Sequence, residues 1–237
     1  MSYLIQRKLI NYNNPKTSLK PVGIVIHNTA NMNDSAMMEY NYFNDANRNA
    51  SAHYVIDKDN IIQMIEDFYI AWHAGPTANK LYLSIEMCTA DNLDAFFEIW
   101  KKTIWLTSYL MKNIIIPTIV TTNNLRSHAA VSDEWKETNH QDPLDYFAKF
   151  GRTMDDYRAA AQLYIDTSNI IDWRKPKMDA QKLNWEQILE KVSNSPEKWD
   201  AGITTAVGLA KDDSNLGDLE IFKFLPELIE KIYYSRL

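Results

Sequence analysis

The sequence predicts an α/β fold: a mixed central β-sheet flanked by helices, followed by a small helical module at the C-terminus. Over the first two-thirds of the chain, β-branched or alternating runs take turns with helical patterns, which is how a sheet covered by helices reads. In the last third the strand patterns stop and amphipathic stretches remain. The 237 residues suffice for a catalytic domain with a small appendage, which we divide at 1–168 and 169–237.

The first strong element is the apolar run from Pro21 to Thr29, a buried central strand that delivers His27 to a sheet edge. Asn33 to Ala46 follows at helical spacing, with Asp34 and Ser35 available as caps. Ala52 to Asp57 alternates toward the turn Lys58-Asp59-Asn60, and extended character resumes at Ile61 to Ile65, so a β-hairpin is expected. Leu81 to Cys88 is a further strand. A long amphipathic helix then spans about Leu93 to Asn113, and the run from Ile114 to Val120 predicts the next strand. Asp155 to Ile165 is helical in pattern. A break at Asp172 to Lys177, with Pro176 among charges, marks a linker, and helices are predicted at 185–192 and 222–234.

Composition narrows the function classes. A net charge of -6 supplies no general basic face, which argues against nucleic-acid binding. A single cysteine, Cys88, excludes an intramolecular disulfide framework, and its place on an apolar strand makes it a small buried residue. No apolar stretch reaches the ~18 residues of a membrane span, so membrane insertion is not expected. The first ten residues lack a secretory signal pattern, and synthesis in the cytoplasm is expected.

All five histidines, His27, His53, His73, His128 and His140, lie in the first 140 residues. Histidine is the commonest zinc ligand, and a catalytic zinc takes three protein donors with one position left for water. His27, His128 and Asp142 are the natural nominees. The stretch from Ser127 to Pro143 reads as one loop returning to a common point, and proline restricts the backbone beside the Asp142 carboxylate.

Five motifs occur in sequence: Val25-Ile26-His27-Asn28-Thr29-Ala30, Ser51-Ala52-His53-Tyr54-Val55-Ile56-Asp57, Ala71-Trp72-His73-Ala74-Gly75, Ser84-Ile85-Glu86, and Ser127-His128 with Asp142-Pro143. Together they resemble the zinc-dependent N-acetylmuramoyl-L-alanine amidases of type 2, relatives of the peptidoglycan recognition proteins, in the layout found in phage and prophage endolysins of Gram-positive bacteria. The resemblance spans roughly residues 20 to 160. It implies the type 2 amidase fold, His27, His128 and Asp142 as zinc (Zn2+) ligands, and Glu86 as the general base beside a zinc-activated water. It also implies His73, with Trp72 beneath it, as a substrate-groove residue, and puts Asn28 and Thr29 near the substrate or behind the ligands. His53, on an alternating strand, is expected to hydrogen-bond inside the sheet.

The sequence departs from the family at one point. Where many members carry a lysine two residues before the third ligand, this chain has His140, which leaves His140 and Lys136 as the two candidates for stabilising the oxyanion. The implied function is that of an endolysin cleaving the bond between N-acetylmuramic acid and L-alanine in peptidoglycan, acting on the cell wall after release. The C-terminal helices would bind the wall or assemble a homo-oligomer. Two other readings are a non-catalytic peptidoglycan-binding protein and a cytosolic muropeptide-recycling amidase. The presence of both Asp142 and Glu86 favours the enzyme over the first, and the aromatic-rich tail favours a polymer substrate over the second.

Overall fold

The computed structural model describes residues 2–32, 34–46, 48–115 and 118–174. The linker beyond Arg174 and the two C-terminal helices expected from the sequence lie outside the described residues. Six strands make one mixed sheet in the order β1-β4-β3-β5-β2-β6. They are β1 (Ile5–Arg7), β2 (Gly23–Met32), β3 (Tyr54–Ile56), β4 (Ile61–Gln63), β5 (Tyr82–Thr89) and β6 (Leu125–Ser127). The central four, β3, β5, β2 and β6, run parallel, while the β3–β4 hairpin is antiparallel and turns where Asp57 Oδ1 accepts the Asp59 and Asn60 amides.

The β2 strand alternates between two buried faces. Val25 packs with Ala74, Ala78, Tyr82 and Val131, which covers the His27 side of the sheet. Ile24 and Ile26 point the other way by the two-residue period of a strand. Helix α3 (Leu93–Leu110) packs on β5, β3 and α6 (Met154–Thr167). There Trp100 meets Tyr157 edge-on at 5.2 Å and Phe147 at 5.1 Å, contacts that each contribute about 0.5–1.5 kcal/mol beyond burial. The buried Tyr157 hydroxyl is satisfied by Thr107 Oγ1 at 2.7 Å.

Local chemistry sets the helix starts. Ser35 caps α1 (Ala36–Phe43), Asn92 caps α3, and Thr153 with Asp156 forms a capping box on α6. The short α2 (Pro76–Asn79) starts after Gly75, whose φ of 90° is a conformation that L side chains rarely adopt.

Two expectations need correction. The run from Ile114 to Val120 forms no strand among its described residues. Instead α3 continues into a π-helical turn, Met111–Ile115, with Ile114 and Ile119 exposed. The free edge of β2 is filled by Leu125–Ser127, which is buried and lies where Gly23 lets the backbone of Asn124 approach. Burial and a partner strand outweigh β-propensity at that edge. Nor is 127–143 one loop: Ser127 Oγ accepts the Ala130 amide and starts α4 (His128–Trp135), and only the residues after it return to the sheet, ahead of α5 (Leu144–Lys149).

Candidate metal centre

The parallel register brings the central residues together. His27 on β2 pairs directly with Glu86 on β5, and Glu86 pairs with Val55 on β3, so the three side chains share one face of the sheet. His128 enters that face from the neighbouring strand, as the first residue of α4 after β6 ends at Ser127. Asp142 is brought back by the chain after α4, and its carbonyl accepts the Ala129 amide in the first turn of α4. Just beyond it, the Tyr146 hydroxyl donates to the Cys88 carbonyl and accepts from the Ala90 amide, tying α5 to the end of β5.

Two imidazoles and a carboxylate converge. His27 Nδ1 lies 3.1 Å from Asp142 Oδ2, and His128 Nδ1 lies 3.0 Å from Asp142 Oδ1. One ligand atom from each of the three residues falls within 4.8 Å of the others. Burial by itself would raise the Asp142 carboxyl, but its bonds to His128 and His27 outweigh that and hold it well below the usual carboxylate range. Burial pushes the His27 imidazole down.

Glu86 lies in the interior of β5, and its side chain is only 15% exposed. Its Oε1 is 4.0 Å from His27 Nδ1, while its Oε2 is buried with no hydrogen-bond partner among the described residues. Burial first, then the charges of Asp142, Glu39 and Asp34, raises this carboxyl well above its ordinary value. A pocket with two imidazole donors, one ionised carboxylate and an orphaned second carboxylate fits a divalent cation, whose charge would offset the crowding of acids.

His140 stacks parallel on His128, with centroids 4.8 Å apart, and its Nδ1 is 3.8 Å from Asp142 Oδ1. At 64% exposed, it stands on the open side of the centre. Lys136 sits at the left-handed C-cap of α4 with its ammonium 3.6 Å from Asp133. Asn28 Nδ2 donates to the Thr29 carbonyl and reaches Thr89 Oγ1 at 3.3 Å, and Thr89 Oγ1 donates to that same carbonyl, which braces β2 against β5 beside the site. Trp72 is partly buried; its amide donates to Ser51 Oγ and its carbonyl accepts the Ser51 amide. Both ring nitrogens of His73 are used inside the protein, by His27 Nε2 at 3.1 Å and the Tyr82 carbonyl at 3.3 Å.

The sequence did not single out Thr138, whose Oγ1 is 3.1 Å from His128 Nε2 and 2.6 Å from Ser132 Oγ. A threonine in a polar loop carries no signal of its own; only its place two residues before His140 could have drawn attention to it. Ser84 entered only as the lead residue of the Ser84-Ile85-Glu86 motif, and nothing there marked the hydroxyl and amide it supplies to His53.

His53 is bonded inside the sheet, its Nε2 2.9 Å from the Tyr69 carbonyl. Burial holds its imidazole down at about 4, against an unfolded value of about 6.5. Between those values the unfolded chain binds the extra proton, so stability is fully present above pH ~6.5 and falls as the pH drops toward 4, by on the order of 3 kcal/mol. Urea midpoints for the parent and His53→Gln across this window check it. The variant should lose part of the acid slope, and identical slopes would remove His53 as the cause.

A mixed sheet that delivers two imidazoles and an aspartate to one strand edge defines an α/β domain with a metal-type centre. The family profile described as N-acetylmuramoyl-L-alanine amidase matches residues 17–145, more than half of the chain, and the chain belongs to this family. Protein Ami of Listeria monocytogenes is 28% identical over 173 residues, covering 71% of this chain and 17% of that protein. The endolysin of Listeria phage A511 is 29% identical over 160 residues, covering 64% of this chain and 47% of the endolysin. The chain thus matches less than half the length of either relative. Among solved structures, the hydrolase AmiA of Staphylococcus aureus superposes with a TM-score of 0.64 at 21% identity, over 73% of this chain and 89% of that one, a likeness of fold.

Proposed function

We propose that this protein is a zinc-dependent N-acetylmuramoyl-L-alanine amidase of the endolysin type, cleaving the amide between the lactyl group of N-acetylmuramic acid and L-alanine in peptidoglycan at the cell wall. The observation that carries this reading is the convergence of His27 Nδ1 and His128 Nδ1 on the Asp142 carboxylate, with the unpartnered Glu86 oxygen alongside. Family membership and the names of the relatives support the substrate. His27, His128 and Asp142 hold the ion. Zinc supplies Lewis acidity there, polarising the scissile carbonyl and letting water ionise near neutral pH.

The protein's own groups do the rest. Glu86 takes a proton from the attacking water and passes it to the amine of L-alanine as the carbon–nitrogen bond breaks, leaving a free lactyl carboxylate and a new N-terminus. His140, on the open side of the centre, donates a hydrogen bond to the carbonyl oxygen as charge develops on it. The pairing of Lys136 with Asp133 supports His140 over Lys136 in that role. Trp72, Asn28 and Thr29 border the substrate. Mass spectrometry of digested walls tests the reading: new L-alanine N-termini and free lactyl groups are expected, and intact amides would overturn it.

His140→Ala should lower kcat by about 10²-fold with zinc content unchanged, the scale of one oxyanion donor, while Lys136→Ala stays near the parent. Steady-state kinetics with metal analysis decides between the two residues. If residues 169–237 form a wall-binding or self-associating module, a fragment ending at Ser168 should keep its zinc and still hydrolyse soluble muropeptides. Its rate on intact walls should fall by on the order of 10²-fold, because the module raises local concentration without touching the chemistry. Wall lysis at the parent rate would remove the module assignment, and loss of the soluble activity would make the C-terminal residues part of the catalytic domain.

A further inference from the structure

A backbone carbonyl sets the proton positions on two neighbouring imidazoles. The Tyr82 carbonyl oxygen can only accept, so its 3.3 Å contact with His73 Nε2 is a hydrogen bond only when that nitrogen carries the proton. A neutral His73 then keeps its lone pair on Nδ1, 3.1 Å from His27 Nε2. That second contact requires the proton on His27 Nε2, which leaves the His27 lone pair on Nδ1, the atom 3.1 Å from Asp142 in the three-donor cluster. The two rings stand nearly perpendicular, at 89°, and the His73 loop is pinned where the His73 and Ala74 amides both donate to Asn79 Oδ1 at 2.9 Å.

We propose, on the reading that the centre holds zinc, that His73 is a positioning residue: by accepting the His27 Nε2 proton it holds His27 in the tautomer whose Nδ1 is free for the metal. The Asp142 carboxylate favours the opposite arrangement, since it attracts a proton to His27 Nδ1. His73 opposes that preference and keeps the donor set ready for a cation. An acceptor behind a metal-bound imidazole also raises its basicity and fixes its ring orientation. With both ring nitrogens engaged, His73 has no polar atom left for the substrate, so this role takes the place of the groove contact expected from the sequence.

The test compares the full chain with His73→Phe, which keeps a ring and loses the acceptor, and with His73→Asn, whose amide oxygen falls near the place of Nδ1. Zinc affinity is read by competition with a chromophoric chelator, the cobalt(II) absorption spectrum reports the coordination, and thermal unfolding of the metal-free proteins reports the fold. His73→Phe should bind zinc about 10–100-fold more weakly and alter the cobalt spectrum, with His73→Asn recovering most of the affinity. Should His73→Phe fail to fold, His73→Ala makes the same comparison without added bulk. Parent-like affinity in both variants, or equal weakening in both, overturns the positioning role while leaving the zinc reading intact. A parent that binds no zinc overturns both.

Discussion

His27→Ala is expected to lose bound zinc and activity together. His27 is buried on the central strand with its Nδ1 3.1 Å from Asp142, and His128 and Asp142 alone make an incomplete site for a tetrahedral ion. The affinity loss should exceed the ~10–100-fold typical of removing a group behind a ligand, because here the ligand itself goes. Zinc content by elemental analysis should fall to background at sub-micromolar free metal, and amide hydrolysis should fall with it. Chelation of the parent should abolish lysis, and added zinc should restore it. The substitution also leaves a cavity beside Val25, so His27→Gln, which keeps most of the volume, separates a folding defect from lost coordination. Undiminished activity in a verified metal-free parent would sink the zinc mechanism.

The legibility of this chain follows from the kind of signal each part carries. The β2 strand, the β3–β4 hairpin, β5 and α3 were readable because alternation, turn residues and an amphipathic stripe are local properties. The strand that closes the β2 edge was not. Leu125–Ser127 is three residues long and is specified by its register with Ile24, Val25 and Ile26, whereas the more apolar run before it pairs with no strand among its described residues. Helix α4 was hidden for a related reason: its cap, Ser127, sits inside a motif whose histidine and aspartate drew the reading toward a loop.

At the site, residue types pointed to the donors, because few chemistries gather histidines and an Asp-Pro in this way. The environment of Glu86 stayed out of reach. Its burial depends on the pairing of β5 with β2 and β3, and its acidic neighbours Glu39 and Asp34 come from α1 and the turn before it. The tautomer chain through His73 ends on a carbonyl, an acceptor every residue carries, so sequence alone cannot mark Tyr82 as its terminus.

Glu86→Gln is expected to separate metal binding from chemistry. The amide matches the carboxylate in size and sits in the same β5 position, so the fold and the three-donor cluster should persist. A neutral amide cannot take a proton from water, and the rate should fall by roughly 10²-fold or more, the scale of a general base. Glu86 Oε2 has no hydrogen-bond partner among the described residues, so the substitution breaks no hydrogen bond with them at that oxygen. Removing a buried carboxyl from beside Asp142, Glu39 and Asp34 also relieves acid crowding, so the variant should be at least as stable as the parent in the metal-free state. The expected pattern is therefore a large fall in kcat, a KM within a few-fold of the parent, unchanged zinc stoichiometry and an undiminished melting temperature without metal. Near-parent turnover would transfer the base role to another group, and lost zinc would instead make Glu86 part of the metal's own coordination.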